Sequence, residues 1–379
     1  MESKIINDGS FVYYMHRIFE IVQFLKENKT ILQKYARWDS HSEYFQKFQK
    51  HQQNALFLLL LETPAELCRF LNLSIYQLED IINSPVYEHY VISKKRGGER
   101  HIYAPEKQLK KIQKRLNYFL QAYYLWIKPG EVHGFVINPH YLGKYCNIAA
   151  NAHVHTGKKY VLNIDLKDFF PSISAKRIKN LFSSSFFNYN EQLATALTLL
   201  TTYESKLPTG APTSPVLSNF VCYNLDADLR NFSQENRLLY TRYADDLTFS
   251  SNTVIQYDSI LDIILLIKKN GFEINEKKLH LQSSNRKQTV TGLTVNEKVN
   301  VDRKLLKKIR AMLHDLTING IDAAAERHFQ LKGSANSEQQ KHFINRLTGY
   351  INFVGQIRGE NDAIYQKLIR QFDCCQLVP

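Results

Sequence analysis

Apolar residues recur at helical spacing through the first part of the chain. Ile18, Ile21, Val22 and Leu25 lie three and four apart, Ala55 to Leu61 is a short apolar run, and Thr63-Pro64-Ala65-Glu66 reads as a helix start with proline in its first turn. Residues 11 to about 82 are therefore expected to be helical. Tyr87 to Lys95 and Arg100 to Tyr103 then flank Gly97-Gly98, the pattern of a β-hairpin. An amphipathic helix carrying Leu109, Ile112, Leu116, Phe119 and Tyr123 follows Pro105. Tyr160 to Ile164 is a near-continuous apolar strand that ends at Asp165, and Ser174 is placed to cap a helix beginning at Ala175.

Farther on, Pro208, Gly210, Pro212 and Pro215 mark an irregular loop, and Val216 to Leu229 reads as a helix. Leu238 to Arg242 and Leu247 to Ser250 are short strand-like runs around Tyr243-Ala244-Asp245-Asp246. Ile260 to Lys269 is an amphipathic helix with Asn270-Gly271 as its stop. Phe272 to Ile274 and Thr289 to Val295 are expected to be short strands. From Val301 onward, Leu305, Ile309, Leu313 and Leu316 fall on one helical face. The order is helices, a mixed α+β centre and a helical tail, with no internal repeat and no low-complexity segment.

Charge narrows the class of partner. Lys and Arg number 49 against 36 Asp and Glu, a net charge of +13 spread along folded-looking segments, which points to nucleic acid. Between Lys94 and Arg115 alone there are nine Lys or Arg and two Glu. Cys68, Cys146, Cys222, Cys374 and Cys375 show neither a CxxC spacing nor a zinc-finger partner, so no disulfide framework or structural zinc is indicated. The longest apolar run is too short to span a bilayer, and Met1 to Ser10 lacks a secretory pattern. A cytoplasmic, unprocessed protein with no membrane association is expected.

The candidate chemistry centres on the Asp245-Asp246 pair. Adjacent like charges repel, and a hairpin tip usually favours Gly or Asn, so the pair is either a solvated acidic turn or a site for divalent cations. Asp165, at the end of a buried strand, would add a third hard oxygen ligand. Nucleotidyl transfer requires such a platform for two magnesium ions, one at the attacking hydroxyl and one at the triphosphate. Asp168, three residues on, reads as a helix-entry or surface residue.

The motifs resemble those of reverse transcriptases. Residues 160–173 (YVLNIDLKDFFPSI) are similar to the first palm motif of that family, 207–219 (LPTGAPTSPVLSN) to the second, 243–246 (YADD) to the third and 271–278 (GFEINEKK) to the fourth. The basic hairpin and helix from Lys94 to Arg115 resemble the fingers. Five motifs in the family's order make coincidence remote. The resemblance implies an α+β right-hand polymerase: a helical extension at 1–84, fingers and palm with an antiparallel sheet at 85–300, and a helical thumb at 301–379. It implies an RNA-directed DNA polymerase that uses two Mg2+ ions and dNTPs, with Asp165, Leu166, Asp245 and Asp246 as the metal positions. Asp165, Asp245, Asp246 and Lys278 are the implied catalytic set, with Lys277 as an alternative to Lys278 at the leaving pyrophosphate.

Nucleotide-binding positions implied in the same way are Lys94, Arg100, Phe170, Thr209 and Gly210. Lys95 and Arg96 are alternatives for the triphosphate, and Phe169 for the ring that excludes a 2′-hydroxyl. Thr209 departs from the Gln common in the family, which shortens that contact. Residues 151–155 (NAHVH) match the Asn-Ala-x-x-His string of retron reverse transcriptases, and 290–292 (VTG) match their Val-Thr-Gly. Asn151, His155, Val290, Thr291 and Gly292 are thereby implied in RNA binding.

Retron membership implies recognition of a cognate structured noncoding RNA, priming from an internal guanosine 2′-hydroxyl, and a branched RNA-linked single-stranded DNA (msDNA). It also implies antiphage defence with an effector protein encoded nearby. Lys304, Lys307, Lys308, Arg310, Arg346 and Arg358 would track the nucleic acid on the thumb, with Tyr350 and Phe353 read as helix-packing residues. The competing readings are another bacterial defence or group II intron-like enzyme with ordinary 3′ priming, and a catalytically silent RNA-binding scaffold.

Overall fold

The computed structural model describes residues 18, 20–28, 45–94, 97–138, 146–330 and 333–376. Residues 20–28 are helical, and three short helices follow: Lys50–Leu59 (α1), Pro64–Leu71 (α2) and Ile75–Asn83 (α3). Capping boxes start all three, with Gln49 and Gln52 the pair at α1. The Thr63 hydroxyl accepts from the Glu66 amide at 3.2 Å while the Glu66 carboxylate accepts from the Thr63 amide, and Ser74 and Gln77 repeat the exchange. Strands Tyr87–Ser93 (β1) and Glu99–Pro105 (β2) pair antiparallel, with Ser93 opposite Glu99 across the Gly97-Gly98 tip. Helix Lys107–Ile127 (α4) buries Leu109, Ile112, Leu116 and Tyr123, the face predicted from its spacing.

Ile148–Val154 (α5) precedes the buried strand Tyr160–Asp165 (β3). Ser174 caps Ala175–Ser183 (α6) by accepting from the Arg177 amide at 3.3 Å. Glu191–Thr201 (α7) follows. The helix expected at Val216 to Leu229 is two helices, Ser214–Val221 (α8) and Tyr223–Glu235 (α9), which share Cys222 as a cap with ψ near zero. Pro215 sits in the first turn of α8, where its missing amide proton costs nothing, so the proline taken as a loop marker belongs to a helix.

Leu239–Tyr243 (β4) and Asp246–Ser251 (β5) form the expected hairpin, in a sheet of order β4-β5-β3-β6 with His280–Ser283 as β6. Tyr257–Lys269 (α10) stops at Asn270-Gly271, whose carbonyls both accept from the Arg177 guanidinium, at 2.9 and 3.0 Å. Phe272 to Ile274 is not a strand. Ile274 makes a single bridge to Leu166, because the positive φ of Gly271 and the 3-10 turn Glu276–Lys278 close the segment on either side. Thr289 to Val295 is likewise not one strand. Thr291 and Gly292, at φ 48° and 82°, fold it into a small hairpin of Thr289–Val290 (β7) and Leu293–Thr294 (β8).

Three helices complete the chain: Arg303–Phe329 (α11), Ser337–Arg358 (α12) and Ala363–Gln376 (α13). Asp302 caps α11 through the Lys304 amide, and Gly320, at φ 73° and ψ 175°, interrupts its helical path. Among the described residues, no helix is long and apolar enough to cross a membrane.

The chain divides into two compact units, residues 1–147 with 162–280, and residues 148–161 with 281–379. The linear boundaries at 84 and 300 do not mark this division, since α5 belongs with the C-terminal helices. The second unit has its own core, in which Ala152, Val290 and Leu293 join Ile309, Leu313, Phe343 and Leu347. Tyr350 and Phe353 are partly buried against that core, as expected of packing residues.

Candidate active site

Asp165 emerges from β3 with only 7% of its surface exposed. Tyr243 pairs with Asp246 across the β4-β5 hairpin, which leaves Ala244 and Asp245 as its two-residue tip. That tip is fastened to the end of β3, because the Leu166 amide donates to the Asp245 carbonyl at 2.9 Å. Ala244 takes a φ of 59°, a left-handed conformation that costs an L-residue about 1–2 kcal/mol and persists only when neighbours over-determine it. One such neighbour is Gly134. A Cβ there would lie 2.4 Å from the Ala244 nitrogen, so only glycine allows the 131–135 segment to run beneath the tip.

The charges at the site are in tension. Lys278 Nζ lies 2.6 Å from Asp165 Oδ2, and Lys277 and Lys278 are both exposed. Burial and the Asp165 charge raise the pKa of Asp245, against the opposing pull of Lys278 and Arg100. Asp246 is pushed up to about 7 by burial, by Asp245 and by Asp165, to which it also hydrogen-bonds. Asp246 is exposed as a residue, so its own desolvation is incomplete, and the two neighbouring carboxylates are the surer cause.

The crowding of negative charge that raises the pKa values of Asp245 and Asp246 suits divalent cations, which would offset that repulsion with hard oxygen coordination. Among the described residues, no three His, Cys, Asp or Glu side chains are already gathered into a metal-holding geometry. The donor chemistry fits. Asp165, Asp245 and Asp246 provide carboxylates, and Leu166, 1% exposed, brings the main chain to the same place.

The implied nucleotide-binding positions all lie in this first unit. Phe170 is half-buried and stacks on Phe135 with centroids 5.8 Å apart, whereas Phe169 is buried between Phe170 and Phe272. Gly210 has φ 121°, and a Cβ there would come within 2.9 Å of the Ile102 side chain and the Tyr103 carbonyl. The Thr209 carbonyl accepts from the Tyr103 amide at 2.7 Å, so what this loop approaches is the protein's own β2. Lys94 and Arg100 are exposed on the basic hairpin, and Arg100 is near enough for its charge to draw the Asp245 pKa down. Lys95 and Arg96 lie outside the described residues. Asp168 is exposed, as expected.

The two short strings outside the palm motifs meet in the second unit. Thr291 Oγ1 donates to the Ile148 carbonyl at 3.2 Å, which ties the β7-β8 turn to the start of α5. Asn151 and His155 are fully buried and Val290 is 1% exposed, while Thr291 is half-buried and Gly292 exposed. Of these five, the turn residues are the ones a partner can touch.

Sequence reasoning missed the group beneath the tip. Arg242 is fully buried, its Nε and Nη2 donate to the two Asp226 carboxylate oxygens at 2.7 and 2.6 Å, and Tyr240 donates to the same carboxylate at 2.8 Å. A faint signal existed. Tyr240 and Arg242 alternate onto one face of a strand whose neighbours are apolar, where a charge demands a partner.

The family Reverse transcriptase (RNA-dependent DNA polymerase) matches residues 92–295, a span that contains Asp165, the Asp245-Asp246 tip and Lys278. The class is therefore an RNA-directed DNA polymerase with the α+β polymerase fold. Retron Ec86 reverse transcriptase of Escherichia coli is 35% identical over 237 residues, covering 61% of this chain and 70% of the relative. Retron Mx65 reverse transcriptase of Myxococcus xanthus is 34% identical, covering 60% of this chain and 55% of its own length, and Retron Ec73 reverse transcriptase of Escherichia coli is 32% identical, covering 74% and 85%. The chain belongs to the retron-type reverse transcriptases. Among solved structures, a telomerase from Candida albicans in complex with a fragment of telomeric RNA aligns with a TM-score of 0.43 at 11% identity, covering 78% of this chain and 64% of that one.

Proposed function

We propose that this reverse transcriptase binds one cognate structured noncoding RNA, uses an internal guanosine 2′-hydroxyl of that RNA as primer, and copies part of it into branched RNA-linked single-stranded DNA. The observation that carries the reading is the joining of α5 to the Val290-Thr291-Gly292 turn through Thr291 and Ile148. Two strings matched to retron enzymes, 135 and more residues apart in sequence, support a single RNA-recognising element. Thr291 and Gly292 would touch the RNA while Asn151, His155 and Val290 hold the element in shape. Residues 1–84 would form an N-terminal extension, 85–300 fingers and palm, and 301–379 a thumb.

At the palm, Asp165, Asp245 and Asp246, with the Leu166 main chain, would hold two magnesium ions. When bound, the ions supply Lewis-acid activation of the attacking hydroxyl and charge neutralisation of the triphosphate. The hydroxyl oxygen bonds to the α-phosphorus and the bond to pyrophosphate breaks. Lys278 stabilises or protonates the departing pyrophosphate, and Lys94 and Arg100 grip the triphosphate with charge-assisted hydrogen bonds. Phe170 supports the sugar and rejects a 2′-hydroxyl by sterics. Gly210 keeps its loop free of side-chain bulk, and Thr209 offers only a short hydroxyl where a longer amide is usual.

The cellular setting we propose is cytoplasmic antiphage defence, with the enzyme and its DNA restraining an effector protein. Co-expression of the chain with its flanking noncoding DNA, followed by nucleic-acid extraction, tests the priming reading. A debranching-sensitive RNA-linked DNA is expected. Recovery of linear, 3′-primed product alone would replace this reading with that of an ordinary reverse transcriptase.

A further inference from the structure

Arg242 is among the largest fully buried side chains of the described residues. Its ion pair with Asp226, also fully buried, is a poor source of net stability, since desolvating two charges consumes most of what their attraction returns. What the pair does achieve is direction. With Nε and Nη2 fixed on Asp226, the planar guanidinium aims Nη1 at two acceptors, the Asn219 side-chain oxygen at 2.9 Å and the Ala244 carbonyl at 3.2 Å. The second of these is the strained residue that sets the direction of Asp245.

Asn219 continues the connection. Fully buried, it accepts from Arg242 through Oδ1 and donates through Nδ2 to the carbonyls of Gly134, at 3.1 Å, and Phe135, at 3.3 Å. An amide is the side chain that both donates and accepts in this way. The backbone it holds is the one whose Gly134 lies against the Ala244 nitrogen and whose Phe135 ring stacks on Phe170. Phe135 also has a φ of 58°, a second left-handed residue in the same small region.

We infer that Asp226, Arg242 and Asn219 are positioning residues that couple the carboxylate tip to the Phe135-Phe170 ring pair, so that one buried hub sets both metal-ligand direction and sugar selectivity. The inference rests on the proposed role of Phe170 at the sugar. None of the three hub residues need touch substrate; each acts through Ala244 or Phe135.

The test compares dCTP with rCTP incorporation on a primed RNA template by five purified full-length variants, with active-site titration to normalise for folded enzyme. Asn219→Ala frees the 134–135 carbonyls and is expected to lower the dCTP to rCTP preference about tenfold. Arg242→Lys keeps the charge but loses the fork, and is expected to lower kcat about tenfold with little change in the KM for dCTP. Phe135→Leu, which leaves the hub intact, should relax selectivity as Asn219→Ala does, and it decides the matter if the hub variants fail to fold.

The double variant Phe170→Ala with Asn219→Ala should be no less selective than Phe170→Ala alone, since both act through one wall. If Phe170→Ala relaxes selectivity while Asn219→Ala and Phe135→Leu reduce only the titrated active fraction, the coupling is overturned and the hub is structural. If Phe170→Ala itself leaves selectivity unchanged, the sugar-wall reading fails and takes the coupling with it.

Discussion

Lys278 Nζ contacts Asp165 Oδ2 at 2.6 Å, an ion pair between a lysine side chain 51% exposed and a carboxylate side chain 11% exposed. The 3-10 turn that carries Lys278 is also tied to the end of β3 by the Asn275 amide, which donates to the Asp165 carbonyl at 2.8 Å. The lysine is thus delivered to the strand end by two contacts, and its charge partly opposes the rise in the pKa values of Asp245 and Asp246. Lys278→Ala should slow single-turnover nucleotide addition about 100-fold, the usual contribution of a positioned acid, while Lys277→Ala should stay within about threefold of the parent. Equal losses in the two variants would remove Lys278 from the catalytic set.

Replacing both tip carboxylates separates chemistry from recognition. Asp245→Asn with Asp246→Asn keeps the side-chain volumes but removes two anionic ligands, so DNA synthesis should fall below detection while the affinity for the noncoding RNA changes by less than about threefold. The same variant should melt at a higher temperature than the parent in metal-free buffer at neutral pH, because the carboxylate repulsion is gone. Persistent synthesis would overturn the metal assignment.

Phe170 and Phe169 are adjacent in sequence yet differ in exposure, half-buried against 6%. Phe170→Ala should therefore relax discrimination against ribonucleotides by about tenfold or more at little cost in stability, whereas Phe169→Ala should lower stability by about 3–5 kcal/mol through a core cavity. The checks are competitive dNTP and rNTP incorporation and chemical denaturation. Unchanged selectivity for Phe170→Ala returns that ring to the packing of the palm.

What the sequence disclosed was local. The Thr63 capping box, the Ser174 cap, the Gly97-Gly98 tip and the strand ending at Asp165 each depend on residues a few positions apart, so pattern alone locates them. Three expectations failed because a positive φ or a bend broke a segment expected to be one element: at Cys222, between Gly271 and the Glu276–Lys278 turn, and at Thr291-Gly292. The Arg242 hub was hidden for a different reason. Its partners Asn219 and Asp226, and the strap at 131–135, reach it only through the tertiary fold. Burial of Asn151 on α5 and of His155 just after it was equally invisible, since a polar residue beside a short helix reads as surface until its neighbours are known.

The strap beneath the tip also carries a pH dependence. His133 donates its backbone amide to the Arg242 carbonyl at 2.9 Å, and its side-chain Nδ1 is buried with no hydrogen-bond partner among the described residues. Burial, with the nearby Lys128 charge, lowers its pKa from 6.5 to about 4, so the folded chain holds the neutral ring where the unfolded chain takes up a proton. The stability this contributes is complete above the unfolded value of 6.5 and is lost as pH falls toward the folded value near 4. For a shift of that size the loss between pH 6.5 and 4.5 is about 2 kcal/mol. Denaturant unfolding of the parent and of His133→Gln at both pH values isolates this contribution from the carboxylates, which titrate in both chains. The parent should lose about 2 kcal/mol more than the variant over that interval. Because the backbone contact to Arg242 survives the substitution, parallel losses in the two chains would mean that His133 is solvated and that protonating it leaves the strap in place.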